Sequence, residues 1–242
     1  MSEVERVQEP DVCYTLEQGY ETCDGYPYHP QRGGYTCRFH RSPRCPLPYT
    51  HEQRRDHRVQ YLARVGFAQR YFDPDPALLF NHLKEARQPI EHLNSYHANI
   101  TENVVSGHGY LLSGSVGTGK TFALSLTALA AHGTGFDVRY IRTSTLFSLL
   151  HNASDEVRTY ERCDLLLLDE FGAQHSTEWT VAQFNDFVET RHGAERATCL
   201  VTNLSIRALT GPEMADYARC VDRWRESCAG DVLTLGFASL RA

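Results

Sequence analysis

Residues 109–125 read GYLLSGSVGTGKTFALS, with four glycines and a single lysine between two apolar runs. The central part, GSVGTGKT at 114–121, matches the pattern G-x-x-x-x-G-K-[ST] of a phosphate-binding loop. In that pattern the glycines let backbone N–H groups converge on an anion, and the following helix points its positive end at the same anion. The stretch therefore predicts a strand, a loop that holds nucleotide phosphates, and a helix.

The residue types of this loop suggest individual roles. Lys120 is expected to reach the β and γ phosphates, and the Thr121 hydroxyl is expected to ligate Mg²⁺. Lys84 and Lys120 are the only lysines in the chain, which uses arginine elsewhere and so makes Lys120 conspicuous. The candidate nucleotide-binding residues of the loop are Gly114, Ser115, Val116, Gly117, Thr118, Gly119, Lys120, Thr121 and Phe122.

The run CDLLLLDE at 163–170 predicts a strand that is buried on both faces and ends in two carboxylates. Ligands collect at the carboxyl ends of the strands in a parallel sheet, so Asp169 and Glu170 are expected beside the loop. Asp169 would bind the nucleotide's Mg²⁺ through water, and Glu170 would act as general base on the attacking water. The alternative is a solvated acidic pair, which the loop makes the weaker interpretation.

The pattern of the rest of the chain predicts an α/β fold. From residue 107 onward, short apolar runs alternate with longer amphipathic segments. This alternation predicts a parallel sheet with helices on both faces, a three-layer α/β/α core over 107–242. Residues 51–106 are predicted to be a helical connector, with helices over 51–71 and 76–94. Between the loop helix and the acidic strand we expect one helix, at 144–152, and a short connector.

Charge and hydropathy exclude some classes of protein. The formal net charge of −6 argues against a protein that coats nucleic acid by bulk charge alone. The first residues carry no apolar core of a secretory signal, and the longest apolar stretches, such as LLLL at 165–168, are too short to cross a bilayer. We therefore expect a cytoplasmic protein without a membrane partner.

Cysteines are clustered in residues 1–50, a segment rich in Gly, Pro and Tyr that buries too little apolar surface to fold alone. In a cytosolic chain this cluster favours a metal site over disulfides. A closed zinc site takes four Cys or His ligands and would stabilise the segment. An iron–sulfur cluster and unliganded reduced cysteines are the alternatives. The candidate zinc ligands are four of the five residues Cys13, Cys23, Cys37, His40 and Cys45.

Two polar features follow the acidic strand. Asn203 ends the apolar run ATCLVTN at 197–203, where it either holds the lytic water or begins a turn. Arg219 and Arg223 lie four residues apart and share a face of a predicted helix. They either contact a γ-phosphate, in their own subunit or in a neighbouring one, or belong to a solvated basic face.

Three stretches resemble one known family. CDLLLLDEFGAQHSTEWTVAQFNDFVETRHGAERATCLVTN at 163–203 strongly resembles the AAA+ ATPases of the DnaC, DnaI and IstB group, including its Asp-Glu-x-Gly-x-Gln sequence. YLARVGFAQRYFDPDPALL at 61–79 resembles the segment that precedes the ATPase core in that group. YARCVDRWRE at 217–226 resembles the helix that closes these proteins. The resemblance covers about residues 55–240.

The resemblance implies a AAA+ fold that binds ATP and Mg²⁺ and hydrolyses ATP to ADP and phosphate. It implies that Asn203 is sensor 1, Arg223 the arginine finger and Arg219 its partner. Members of the group bind single-stranded DNA, assemble side by side, and either load a DnaB-type replicative helicase or assist a transposase. Loaders of the DnaI type also carry an N-terminal zinc-binding segment that contacts the helicase. Less directly, the resemblance implicates Gln174 and Arg191 in transmitting nucleotide state. The sequence departs from the group in one place: loaders and initiators carry an extra helical element between the loop helix and the acidic strand, whereas this interval is compact, which argues against a closely wrapped channel for single-stranded DNA. Arg139, Arg142, Thr143 and Ser144 there either contact DNA or form an exposed strand end.

The sequence therefore favours a helicase loader that acts in DNA replication as a homo-oligomer on single-stranded DNA. The nearest alternative is a transposition helper of the IstB type, which would act on double-stranded DNA. A metal-bearing adaptor that uses ATP only as a switch is an alternative from a different class. A small-molecule kinase is disfavoured, because it would need an arginine-rich lid in place of the pair Glu170 and Asn203.

Overall fold

The computed structural model shows a parallel sheet of five strands, as the alternation of apolar runs predicts. The order across the sheet is β4-β5-β6-β3-β7, and each neighbouring pair is parallel. The strands are β3 (Leu111–Gly114), β4 (Val138–Arg142), β5 (Leu165–Phe171), β6 (Ala197–Thr202) and β7 (Val232–Leu235). The structure describes residues 51–72, 86–132, 134–172, 177–228 and 232–236, and it assigns the antiparallel pair β1 (Tyr28–His29) and β2 (Gly34–Tyr35).

The helices alternate with the strands along the chain. They are α1 (His51–Val65), α2 (Arg87–Ala98), α3 (Ile100–Val105), α4 (Lys120–Ala130), α5 (Thr143–His151), α6 (Val157–Arg162), α7 (Glu178–Gly193), α8 (Ile206–Leu209) and α9 (Ala218–Ser227), with 3-10 turns at Gln69–Tyr71 and Pro212–Tyr217. Among the described residues, no helix combines the length and the apolar character that a membrane span requires.

Two helical layers cover the sheet and bury it from both sides. Helices α1 to α4 share one apolar cluster with the strand residues that face them, and α5, α6, α7 and α9 share a second cluster on the opposite face. All residues of β3 and β6 are buried, which explains why the central strands are continuously apolar rather than alternating. The helices of the predicted connector thus form one layer of the core.

The first layer contains a buried polar network. Thr127 of α4 lies 2.9 Å from His97 Nε2 and 2.7 Å from the Tyr110 hydroxyl, and its own hydroxyl donates to the Ala123 carbonyl. The imidazole of His97 is fully enclosed, and desolvation lowers its pKa from 6.5 to about 3. The network therefore holds a neutral histidine between α2 and α4.

The second layer is aromatic rather than hydrogen-bonded at its centre. Phe184 of α7 stacks on Phe171 with ring centroids 5.9 Å apart, and Trp224 of α9 meets Phe171 edge to face at 4.8 Å. Tyr217 completes the group, 5.6 Å from Phe171. Edge-to-face contacts of this kind add to the burial of the rings, and they fix α7 and α9 against the end of β5.

Several helix predictions differ from the structure. The helix predicted over 51–71 ends at Val65 and is followed by the 3-10 turn Gln69–Tyr71, and the one predicted over 76–94 extends to Ala98. The interval between α4 and the acidic strand holds two helices, α5 and α6, instead of one. The amphipathic pattern of EMADYARCVDRWRESC at 213–228 predicts one long helix, but this run begins within the 3-10 turn Pro212–Tyr217 and becomes α-helical only at Ala218. Proline at the start of the turn has no N–H to donate, and the sequence pattern does not distinguish the two helix types.

Candidate nucleotide-binding site

The loop between β3 and α4 has the backbone that a phosphate cradle requires. Gly117 and Gly119 have φ angles of 87° and 83°, in the left-handed region that residues with a Cβ rarely adopt. A Cβ at Gly114 would lie 2.8 Å from the Thr118 hydroxyl and 2.9 Å from the Leu235 carbonyl oxygen. The glycine spacing of the sequence is therefore explained by local geometry.

Lys120 is the first residue of α4, and its side chain folds over the loop. Its ammonium group donates to the carbonyls of Gly114 at 2.8 Å and Ser115 at 2.7 Å. The residue is only 8% exposed. A cation and the amino end of a helix thus face the concave side of the loop, where an anion is favoured.

Asp169 lies at the end of β5 and is brought into contact with the loop helix. Its Oδ2 accepts hydrogen bonds from the hydroxyls of Thr121 and Tyr140, each at 2.8 Å, and its Oδ1 accepts from the backbone N–H of Glu170 at 2.8 Å. The residue is 2% exposed. Burial raises the pKa of the Asp169 carboxyl, while the two hydroxyl bonds lower it. The two residues predicted to serve Mg²⁺, 48 positions apart in sequence, are therefore direct neighbours.

Glu170 leaves the sheet just beyond Asp169. The register of β5 against β6 shifts between Leu168 and Phe171, and Glu170 has a φ of 59°, in the left-handed region. Its side chain is exposed and lies 4.0 Å from the guanidinium of Arg142. The bulge turns a carboxylate from the strand ladder toward solvent at the same edge as the loop.

Asn203 follows β6, the strand that lies between β3 and β5. Thr202, just before it, donates its hydroxyl to the Phe171 carbonyl at 2.8 Å, and the hydroxyl of Ser113 donates to the Leu204 carbonyl at 2.6 Å. These bonds fix the chain on both sides of Asn203, whose own side chain is exposed. Asn203 thus lies between the ends of the loop strand and the acidic strand.

These groups fit Mg²⁺ bound to a triphosphate. Hard oxygen donors suit Mg²⁺, which takes one or two protein oxygens and completes its shell with water and phosphate. The Thr121 hydroxyl and the Asp169 carboxylate supply those oxygens, and Lys120 supplies the positive charge for the phosphates.

The structure does not bring Arg219 and Arg223 to this loop. Arg223, on α9 in the second layer, donates to Glu189 at 3.1 Å and to Glu226 at 2.9 Å. Arg219 is exposed one turn earlier on the same helix. A role for these arginines at the nucleotide of their own subunit has no support in this geometry, whereas a role toward a neighbouring subunit stays a prediction.

Arg191, which is predicted to help transmit nucleotide state, has a buried side chain with several backbone partners. It is 2% exposed and lies at the amino ends of the strands, opposite the loop. Its guanidinium donates to the backbone carbonyls of Tyr160, Cys163 and Ala197 at 2.7, 2.9 and 2.6 Å. This arrangement joins α6, β5, α7 and β6, so the visible role of Arg191 is structural.

Several predictions concern residues outside the described ranges. They are Gln174 and all five candidate zinc ligands: Cys13, Cys23, Cys37, His40 and Cys45. In the described part of the chain, no three or more Cys, His, Asp or Glu side chains are grouped so that they could hold a metal ion. The zinc site stays a prediction from sequence.

Sequence reasoning missed Tyr140 and gave Thr143 another role. Tyr140 reads as an ordinary strand residue within DVRYIR at 137–142, yet its hydroxyl reaches Asp169. Thr143, a candidate for DNA contact, donates its hydroxyl to the backbone carbonyl of Asp169 at 2.8 Å. The signal that could have found these contacts was the pairing of β4 with β5. It sets Arg142 opposite Asp169 and so brings the end of β4 close to that carboxylate.

A parallel sheet with a phosphate loop, and a buried aspartate beside that loop, define a P-loop nucleotide-binding protein. The family model described as IstB-like ATP binding protein matches residues 60–212. That is more than half of the chain, and the chain belongs to this AAA+ family, as its resemblance to the DnaC, DnaI and IstB group predicts.

Curated relatives are similar over part of their length. The replicative helicase loader DnaC of Buchnera aphidicola subsp. Baizongia pistaciae (strain Bp) is 27% identical over 139 residues, 54% of each chain. The protein of that name from Buchnera aphidicola subsp. Schizaphis graminum (strain Sg) is 26% identical over 148 residues, 57% of this chain and 58% of the relative. The chain thus spans about half the length of the curated relatives it matches.

A solved structure shows the same fold. The crystal structure of the DnaC helicase loader aligns with 71% of this chain and 100% of that chain, with a TM-score of 0.50 and 18% sequence identity. At that identity the similarity supports the shared architecture alone.

Proposed function

We propose that this chain binds ATP with Mg²⁺ at the loop and hydrolyses it to ADP and phosphate. The observation that carries the proposal is the hydrogen bond between Thr121, in the loop helix, and Asp169, in the acidic strand, with Glu170 exposed beside them. Mg²⁺ would bind at Thr121 and Asp169 and neutralise charge that develops on the phosphates. Lys120 would hold the terminal phosphates.

In this proposal, Glu170 takes the proton of the attacking water and Asn203 orients that water. Glu170 suits the role because the bulge leaves its carboxylate exposed instead of locking it into the strand ladder. Asn203 suits its role because β6 places it between the loop strand and the acidic strand. A positioned general base contributes about 10²–10⁴-fold to a rate.

We further propose that ATP hydrolysis serves the loading of a ring-shaped replicative helicase onto single-stranded DNA. The support is the family of the chain and the curated relatives named replicative helicase loader. Copies of the chain would assemble side by side when ATP is bound, and Arg223 would reach the nucleotide of a neighbouring copy. The Cys-rich residues 1–50, with zinc bound, would contact the helicase. The family name also keeps a transposition helper as the second candidate.

The experiment is ATP hydrolysis by the full chain with and without single-stranded DNA, for wild type and Glu170→Gln. The variant is expected to lose about 10²–10⁴-fold in turnover while it still binds ATP. Glu195→Gln is the matched control, since Glu195 is exposed and also has a left-handed φ, of 50°. Wild-type turnover in Glu170→Gln would contradict the assignment of the base.

Arg223→Ala tests the proposed assembly. Its turnover is expected to fall and to lose the dependence on protein concentration that a shared site produces, whereas Arg225→Ala on the same helix keeps both. Mixing Arg223→Ala with Glu170→Gln is expected to restore part of the activity, because each variant supplies the group that the other lacks. If Arg223→Ala hydrolyses ATP normally, the finger assignment fails. Co-purification with a helicase or with a transposase then separates the two candidate roles.

A further inference from the structure

We propose that Tyr140 is a positioning residue that couples Mg²⁺ at Asp169 to the helical connector through Phe67. The inference rests on the proposed function, because it takes Asp169 as the metal carboxylate. Tyr140 belongs neither to the loop nor to the acidic pair. Its side chain, on β4, connects the metal site with the segment that follows α1.

The hydroxyl end of Tyr140 lies at the metal site. It donates to Asp169 Oδ2 at 2.8 Å, and Thr121 donates to the same oxygen at 2.8 Å. A carboxylate oxygen offers about two lone-pair positions, so these two donors fill Oδ2. A Mg²⁺-bound water that donates to Asp169 must therefore use Oδ1 or displace one of the two hydroxyls. With the water at Oδ1, the bond from the Tyr140 hydroxyl to Oδ2 fixes the orientation of the carboxylate, so the loss of that bond weakens the metal site.

The ring end of Tyr140 lies against the connector. The ring of Phe67 stacks on it with centroids 4.1 Å apart and an interplanar angle of 26°. Phe67 is 4% exposed. Gly66 has a φ of 115°, and a Cβ there would lie 2.9 Å from the Tyr140 carbonyl oxygen, so the backbone of the connector is pressed against β4 at this point.

The contact segment is joined firmly to α1. The backbone N–H groups of Gly66 and Phe67 both donate to the Leu62 carbonyl, at 3.1 and 3.0 Å, and close the carboxyl end of the helix. Leu62 and Val65 are buried in the same apolar cluster as Tyr140. A change in the tilt of the Tyr140 ring therefore reaches the end of α1 without a flexible link between them.

The two ends of Tyr140 can be separated by substitution. Phenylalanine at position 140 keeps the ring and its contact with Phe67 but has no hydroxyl for Asp169. Leucine at position 67 keeps apolar contact with β4 but has no ring to stack. A purely structural Tyr140 predicts that both variants lose stability and nothing else, whereas coupling predicts a different loss in each.

The first measurement is the Mg²⁺ concentration that half-saturates ATP hydrolysis by the full chain. Tyr140→Phe is expected to raise it by about 10-fold or more, since 10-fold is the low end of what one hydrogen bond to a charged group contributes. Tyr160→Phe is the matched control, since that hydroxyl donates to a surface carboxylate, Glu156, at 3.4 Å. An unchanged half-saturating concentration in a folded Tyr140→Phe overturns the positioning role.

The second measurement is hydrogen exchange of the amides in residues 61–72, with ATP alone and with ATP plus Mg²⁺. In wild type, Mg²⁺ is expected to change exchange at Gly66 and Phe67. Phe67→Leu is expected to bind MgATP as wild type does while losing that response. A response that persists in Phe67→Leu overturns the route. If wild type binds no nucleotide, the proposed function fails, and this inference fails with it. If wild type binds nucleotide but Tyr140→Phe and Phe67→Leu behave as wild type does in the two measurements, only the inference is refuted.

Discussion

A charged side chain is buried to the same extent at each of the two ends of the strands. Asp169 at the carboxyl ends and Arg191 at the amino ends are both 2% exposed. Asp169 has one backbone partner, the N–H of Glu170, and two hydroxyl partners, which rotate. The guanidinium of Arg191 is held mainly by backbone carbonyls, with a further bond to the Thr198 hydroxyl. Backbone partners move only when the chain moves. The surroundings of Arg191, at the amino ends of the strands, are therefore fixed. The hydroxyls around Asp169, at the carboxyl ends, can rearrange around a ligand.

The largest expected effect is on the free energy of unfolding, when Arg191 is removed from the amino ends of the strands. Arg191→Ala leaves several buried carbonyls without a donor, at a cost of 1–3 kcal/mol for each such group in general. We expect the free energy of unfolding to fall by about 3 kcal/mol or more, measured by urea denaturation. Arg196→Ala is the control, since Arg196 forms a partly exposed pair with Asp164 at 3.3 Å, and it is expected to cost less than about 1 kcal/mol.

A loss in Arg191→Ala no larger than in Arg196→Ala would show that the amino ends of the strands are not fixed by this side chain. A selective loss of ATP affinity in Arg191→Ala, with stability unchanged, would instead restore its predicted role in transmitting nucleotide state.

The second effect in size is the pH dependence of the unfolding free energy, which comes from His97, a buried histidine that stays neutral in the folded protein. The pKa of His97 is lowered to about 3, so below pH 6.5 the unfolded chain takes up a proton that the folded chain refuses. Stability must therefore fall as the pH drops from 6.5 toward 3. His97→Gln, which keeps a hydrogen-bonding group for Thr127, is expected to lose about 2 kcal/mol less than wild type between pH 6.5 and 5.

The measurement is urea denaturation of wild type and His97→Gln at a series of pH values. His108→Gln, which changes an exposed histidine, is expected to follow wild type. If the unfolding free energies of His97→Gln and wild type change with pH in parallel, His97 takes up protons in the folded protein. The first layer would then be more open to water than the surroundings of Asp169 and Arg191.

The smallest expected effect on stability is that of replacing Asp169, at the carboxyl ends of the strands. Because burial raises the pKa of Asp169, its charge opposes folding. Asp169→Asn removes that charge and keeps an oxygen for Thr121 and Tyr140, but its NH2 group replaces the oxygen that accepts from the backbone N–H of Glu170, so the gain and the loss offset each other. We expect the unfolding free energy to change by less than about 1 kcal/mol, and MgATP hydrolysis to fall by about 100-fold or more.

Asp164→Asn, at the opposite end of the same strand, is the matched control and is expected to leave hydrolysis unchanged. A large loss of stability in Asp169→Asn would contradict the contrast between the two ends of the strands, since it would make Asp169 as structural as Arg191.

The sequence was sufficient for the parts of the site that lie within one short segment. The glycine spacing predicted the loop, and the run of leucines before Asp169 predicted a buried strand that ends in acid. The parallel sheet that these segments imply is confirmed. Both predictions work because a phosphate cradle and a doubly covered strand each leave a local pattern.

Contacts between distant segments could not be predicted in this way. Tyr140 reaches Asp169 across 29 positions because β4 and β5 pair in a particular register. In a single sequence, a tyrosine inside an apolar run is indistinguishable from a core residue. Arg191 presents the same difficulty, because most of its partners are backbone carbonyls, which every residue type carries.

The bulge at Glu170 has a consequence for how such proteins diverge. The left-handed φ of Glu170 costs roughly 1–2 kcal/mol for a residue with a side chain. Since the strand ladder skips position 170, a mutation there leaves the pairing of β5 with β6 intact. Under the proposed function, a lineage could therefore lose hydrolysis through one codon and retain a folded protein that still binds nucleotide, so that a catalyst becomes a switch or a scaffold.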